Sequence, residues 1–136
     1  MIRKRTKNIL EELPAVERSL RELREVFLSN LIMIGEVPSP TFQENRRVEV
    51  MIDRLSTCGL QSCSSDEAGN ALGIIPGATE ERNILIAANV DTVFPDTVDH
   101  TISMNMDTVT GPGLSDNAVG IALLASLPVF LEHLGI

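Results

Sequence analysis

A chain of 136 residues, 43% of them hydrophobic, can build one domain with a core, which excludes a disordered chain. Its four aromatics are all Phe, so the core is aliphatic and the Trp and Tyr platforms of single-stranded nucleic-acid binders are missing. The net charge of −8 is unevenly placed: residues 83–136 hold no Lys or Arg but carry Asp91, Asp96, Asp99, Asp107, Asp116 and Glu132, a layout that repels phosphate backbones and attracts cations.

The chain opens with Arg3, Lys4, Arg5 and Lys7, but residues 8–30 are laced with Glu and Arg, so no apolar secretion-signal core follows. Residues 1–14 read as a flexible start. Val16, Leu20, Leu23, Phe27, Leu31 and Ile34 recur at helical spacing and predict an amphipathic helix from near Pro14 to Ile34. Val37-Pro38-Ser39-Pro40 stops it, because residues before proline leave the helical region. Thr41 with Glu44 predicts a capping box opening a second helix. Val48, Met51, Ile52 and Leu55 form its buried stripe, and Gly59 takes the left-handed position after it.

The period then shortens. Leu60–Cys63 and Ala71–Ile75 read as strands around the turn Asp66–Asn70, the second closed by Pro76-Gly77. Asn83–Ala88 is a continuous apolar run, predicted as a central strand buried on both faces. A strand near Thr101–Asn105, the turn Gly111-Pro112-Gly113 and a helix from Asn117 to about Leu134 complete the order. That helix is predicted to bury Ile121, Leu124, Leu127, Leu131 and Leu134, to bend at Pro128 and to end at Gly135. No apolar stretch reads as a membrane span, and Cys58 and Cys63 lack metal-finger spacing, so a cytoplasmic chain with reduced thiols and no membrane partner is expected.

Two carboxylates stand where ligands gather in open α/β sheets, beyond the carboxyl ends of strands. Asp91 follows the Asn83–Ala88 run, and Asp116 lies in the Gly-rich turn before the last helix. Each has a plainer reading, Asp91 as a turn residue and Asp116 as a helix N-cap. Together they suit part of a cation site. A dinucleotide loop at Gly111-Pro112-Gly113 would need glycine at position 116, where Asp116 would repel a pyrophosphate.

Five segments in order resemble the zinc-dependent exopeptidases and deacylases, the family that groups tripeptidase T, acetylornithine deacetylase, succinyl-diaminopimelate desuccinylase and glutamate carboxypeptidase. They are Val37-Pro38-Ser39-Pro40-Thr41 with Glu44; Asp66 with Gly69-Asn70; Ile75-Pro76-Gly77; Asn89-Val90-Asp91-Thr92-Val93-Phe94-Pro95; and Gly111–Asn117 with Gly120. The resemblance implies the N-terminal part of a three-layer αβα hydrolase domain spanning residues 1–136, without the family's lid and dimerisation domain. It also implies cleavage of amide bonds in small peptides or N-acyl amino acids, with two zinc ions, or cobalt or manganese, in the site.

By the same resemblance Asp91 matches the catalytic-site carboxylate that orients a metal-binding His, and Asp116 matches the carboxylate that bridges the two metals. The chain departs from the pattern at Asn89, which stands in the position of that His and is a poor zinc ligand. The family's Glu-Glu pair, with its general base, and the later ligands have no counterpart here. The chain stops at Gly135-Ile136, where an α/β protein would start another strand, so it reads as a fragment or relic, inactive alone and binding metal weakly. His100 as a replacement ligand and His133 as a helix-end residue are the remaining imidazoles. A partner-binding module, or self-association through an uncovered sheet edge, is the alternative.

Overall fold

The computed structural model describes residues 13–77 and 83–135. The basic cluster Arg3–Lys7 and most of the start at 1–14 lie outside them. Helical residues 13–22 (α1) break at Leu23 and resume as α2, Arg24–Gly35, so the single predicted helix is two consecutive pieces. The buried positions of α2 are Leu28, Asn30, Leu31, Ile34 and Gly35, while Val16, Leu20 and Phe27 stay only half-buried.

The second helix, α3, spans Asn45–Thr57 and starts three residues later than expected, with Glu44 rather than Thr41 at the cap position. Thr41 is not its cap: its hydroxyl turns away to Asp91, while Glu44 accepts the Phe42 N–H across a tight turn at 2.6 Å. Val48, Met51 and Leu55 are buried as the periodicity predicts, while Ile52 is only half-buried, and Gly59 has φ +84°, the left-handed conformation that ends the helix. The fully buried Arg47 on the same helix is a feature the apolar pattern does not show.

The strands β1 (Gln61–Ser65) and β2 (Ala71–Ile74) pair antiparallel, and β3 (Ser103–Met104) and β4 (Val109–Thr110) form a second small hairpin. Asp66 builds the first turn by accepting the N–H groups of Ala68 and Asn70 at 3.0 and 2.8 Å. Outside the hairpins, one parallel bridge joins Pro40 to Thr92, whose N–H donates to the Ser39 carbonyl at 2.8 Å.

The fold is mixed α and β in this broad sense, helices with two small sheets. A central strand at Asn83–Ala88 is not part of it. That run belongs to no ladder, and Ile84, Leu85 and Ile86 are 87%, 89% and 55% exposed. A strand buried on both faces needs hydrogen-bonded neighbours and covering layers. Among the described residues neither hairpin lies in register with it.

The core instead sits between helices. Leu28, Leu31, Ile102, Leu114, Ala118 and Ala122 form one cluster, and Ile34, Met51, Leu55, Ile121 and Ala125 another. The last helix, α4, spans Val119–Leu134, continues through Pro128 and ends at Gly135. Of the residues expected inside it, Ile121 is buried; Leu124, Leu127, Leu131 and Leu134 are only half-buried, and the small residues Ala122, Ala125 and Ser126 take their place. Small residues let α2 and α4 approach closely, so that Asn30 reaches the Ser126 hydroxyl at 2.8 Å. Arg54 completes this buried polar chain by donating to Asn30 Oδ1 at 2.7 Å, tying α3 to both helices. Among the described residues one helical stretch, Leu114–Leu134, is long and apolar enough to cross a membrane by length and composition, a property not expected from the sequence reading; it supplies residues to both core clusters.

Candidate functional site

The site is built where three chain segments meet. The first is the loop from Val37 to Thr41 between α2 and α3. The second is Asn89-Val90-Asp91, after the exposed apolar run. The third is the irregular turn Leu114–Ala118, which precedes α4 and departs from helical geometry at Asp116 and Asn117.

Arg47 fixes the first segment to the second. Its guanidinium donates from Nε to the Val37 carbonyl and from Nη1 to the Val90 carbonyl, each at 2.9 Å. Burial pushes its pKa down, against a smaller opposing effect from the Asp91 charge. It is a buried cation satisfied by carbonyl oxygens, which makes it a cross-brace directly behind Asp91.

Asp91 is half-buried and engaged through both oxygens. Asn89 Nδ2 donates to Oδ1 at 3.1 Å, and Thr41 Oγ1 donates to Oδ2 at 2.9 Å. These bonds, the Asn89 one first, and then the Arg47 charge hold the carboxyl below the usual carboxylate range. The third segment joins through Asn117, whose Nδ2 donates to Asn89 Oδ1 at 2.9 Å. Asn117 Oδ1 in turn accepts the Gly120 N–H at 3.2 Å. A Cβ at Gly120 would collide with that Asn117 side chain, so only glycine leaves it room. Gly113 has φ +68°, and a Cβ there would lie 2.7 Å from Thr92 Oγ1, so this turn also requires glycine.

The structure therefore brings the neighbouring Asn89 and Asp91 together with Asn117, which lies 28 residues beyond Asn89 in sequence. Asp116 itself is exposed, and its carboxylate has no hydrogen-bond partner among the described residues, so it does not act as an N-cap. Residues missed by sequence reasoning are Arg47, Asn117 and Thr41 in its bonding role. Asn117 was within reach, as the residue after the metal-bridging candidate; Arg47 carries no sequence signal, because a charged residue on an amphipathic helix reads as solvent-facing.

Zinc fits this donor set poorly. Among the described residues no three His, Cys, Asp or Glu side chains converge on one point. Asn89 offers only an amide oxygen, already accepting from Asn117, and both Asp91 oxygens are hydrogen-bonded. His100 is buried with Nε2 3.1 Å from the Pro95 carbonyl oxygen, and His133 lies 3.7 Å from Glu22. Asp99 caps its own turn at Thr101. Cys58 and Cys63 are free thiols. No protein-family model matches the chain, and no curated protein matches it.

Proposed function

We propose that this chain is a divergent relative of the zinc-dependent exopeptidases and deacylases, with the αβα hydrolase domain of that family as its fold of origin, and that it does not hydrolyse amide bonds by itself. One observation carries the reading: Asn117 is hydrogen-bonded to Asn89. The two segments that the resemblance assigns to one metal centre thus meet, which supports the reading, and the residue that joins them is an amide where the family carries an imidazole. The relatives' substrates, small peptides or N-acyl amino acids, define the chemistry from which the site diverged.

Amide hydrolysis by that route needs an activated water and a general base in reach of it. The only glutamate after Glu81 is Glu132, which lies thirteen residues along α4 from Val119, roughly 20 Å from the start of that helix at 1.5 Å per helical residue. Any divalent cation is held weakly, by the exposed Asp116 carboxylate. The test is calorimetric titration with zinc and an assay on N-acyl amino acids and tripeptides, with zinc, cobalt or manganese added. Weak binding that Asp116→Ala abolishes, and no turnover, are the expected results. Turnover that disappears in Asp116→Ala would overturn the reading.

A second reading, self-association, is favoured by the exposed Ile84, Leu85 and Ile86. No charge lies between Asn83 and Val90, so two copies can bring these runs together without like-charge contact. Sedimentation at rising protein concentration tests it; a strictly monomeric protein that stays so with Leu85 intact removes it.

A further inference from the structure

We infer that Asn89 is the middle link of a metal-free hydrogen-bond clasp that joins the start of α4 to the loop at Thr41 and closes the position a zinc ion would take. The last clause rests on the family reading above; the clasp itself rests only on the bonds.

The chain of bonds runs from the Gly120 N–H to Asn117, from Asn117 to Asn89, from Asn89 to Asp91, and from Thr41 back to Asp91. Its direction is fixed at both ends. A carboxylate only accepts, so the Asn89 amide must turn its NH2 to Asp91 and its oxygen to Asn117. A backbone N–H only donates, so Asn117 must turn its oxygen to Gly120 and its NH2 to Asn89. The two amides therefore have a single consistent orientation, and reversing either one sets two donors or two acceptors face to face. A cation approaching Asn89 Oδ1 along this line meets the N–H hydrogens of Asn117, so the clasp and a metal compete for the same oxygen.

In this arrangement the asparagine does the mechanical work that a metal and its His ligand would do, holding the turn at Asp116-Asn117 against the end of the 83–91 segment. Gly120 belongs to the device, since any side chain there displaces Asn117.

The experiment is a thermal-denaturation cycle on Asn89→Ala, Asn117→Ala and the double variant, run with EDTA and with micromolar zinc. Each single variant should lower Tm, and the double variant should lose clearly less than the sum, because the two residues share one bond. Additive losses overturn the clasp, and so does a rise in wild-type Tm with micromolar zinc. Should the variants not fold, hydrogen exchange of the wild-type side-chain amides decides. The Nδ2 protons of Asn89 and Asn117 should exchange more slowly than those of Asn105, which is exposed like Asn89 but whose side chain bonds only through its Oδ1 among the described residues, and equal rates overturn the proposal.

Asn89→His separates this inference from the family reading. Zinc binding at least about tenfold tighter than wild type, a gain of roughly 1.4 kcal/mol, supports the zinc-position clause. No gain overturns that clause and the family reading while the thermal cycle still stands for the clasp. Tighter zinc binding with additive losses does the reverse.

Discussion

The helical core and the run from Asn83 to Ala88 are made of the same kinds of residue and have opposite fates. Ile34 and Ile121 are fully buried between α2, α3 and α4, whereas Ile84 and Leu85 are almost fully exposed. Composition does not separate them; neighbours do. A helix satisfies its own backbone and needs only side-chain contacts to bury a stripe. An extended run must find partner strands for its N–H and C=O groups before its side chains can be covered, and among the described residues none pairs with it.

The largest effect that would break this contrast is a cavity in each region. Ile121→Ala should cost about 2–5 kcal/mol in chemical denaturation, the usual loss for a buried isoleucine. Leu85→Ala should change monomer stability by roughly 0.5 kcal/mol or less, as for an exposed site. Comparable losses would mean that the run is buried in solution. Leu85→Lys sharpens the point: it should reduce any concentration-dependent association while leaving the unfolding midpoint of the monomer unchanged.

Arg47 lies on the border between the two regions, and its removal is the next effect in size. Arg47→Met keeps the apolar stem but leaves the Val37 and Val90 carbonyls without their donor, at a cost of about 1–3 kcal/mol. Full retention of stability would show that water replaces the guanidinium. Hydrogen exchange follows in the same direction. Amides of Leu31, Ile34 and Ile121 should be slow, and those of Leu85–Ala87 fast, which reverses the protection expected for a central strand.

The smallest effect concerns the β1–β2 turn and depends on pH. Hydrogen bonds from Asn70 and Ala68 hold the Asp66 carboxyl below its ordinary range. A lowered folded pKa means that the turn's stabilisation is complete above the unfolded value, about 3.9, and is lost as pH falls through the lower folded value. The Asn70 amide should therefore exchange faster and shift in that acidic window, and Asp66→Asn should remove the dependence. A pH-independent Asn70 signal would show that the turn does not rely on the charge.

Local chemistry was legible in the sequence. The stripe Val48, Met51 and Leu55 with the half-buried Ile52, the left-handed Gly59 and Gly135, and the Asp66–Asn70 turn with the hairpin around it follow from spacing and backbone preference within a few residues, whereas the second hairpin did not show as a pair of strands. The segments Asn89–Asp91 and Gly111–Asn117, singled out in the sequence by resemblance, meet in the structure through the Asn117–Asn89 hydrogen bond. Contacts between distant segments were not. Thr41 looked like a helix cap until Asp91, fifty residues on, supplied a stronger acceptor for its hydroxyl. The inner face of α4 was set by how near α2 could come, which favoured Ala122, Ala125 and Ser126 over the larger leucines. The run at 83–88 kept its strand-like sequence without becoming a strand, since a ladder is a property of two segments and a single sequence stretch can specify only one of them.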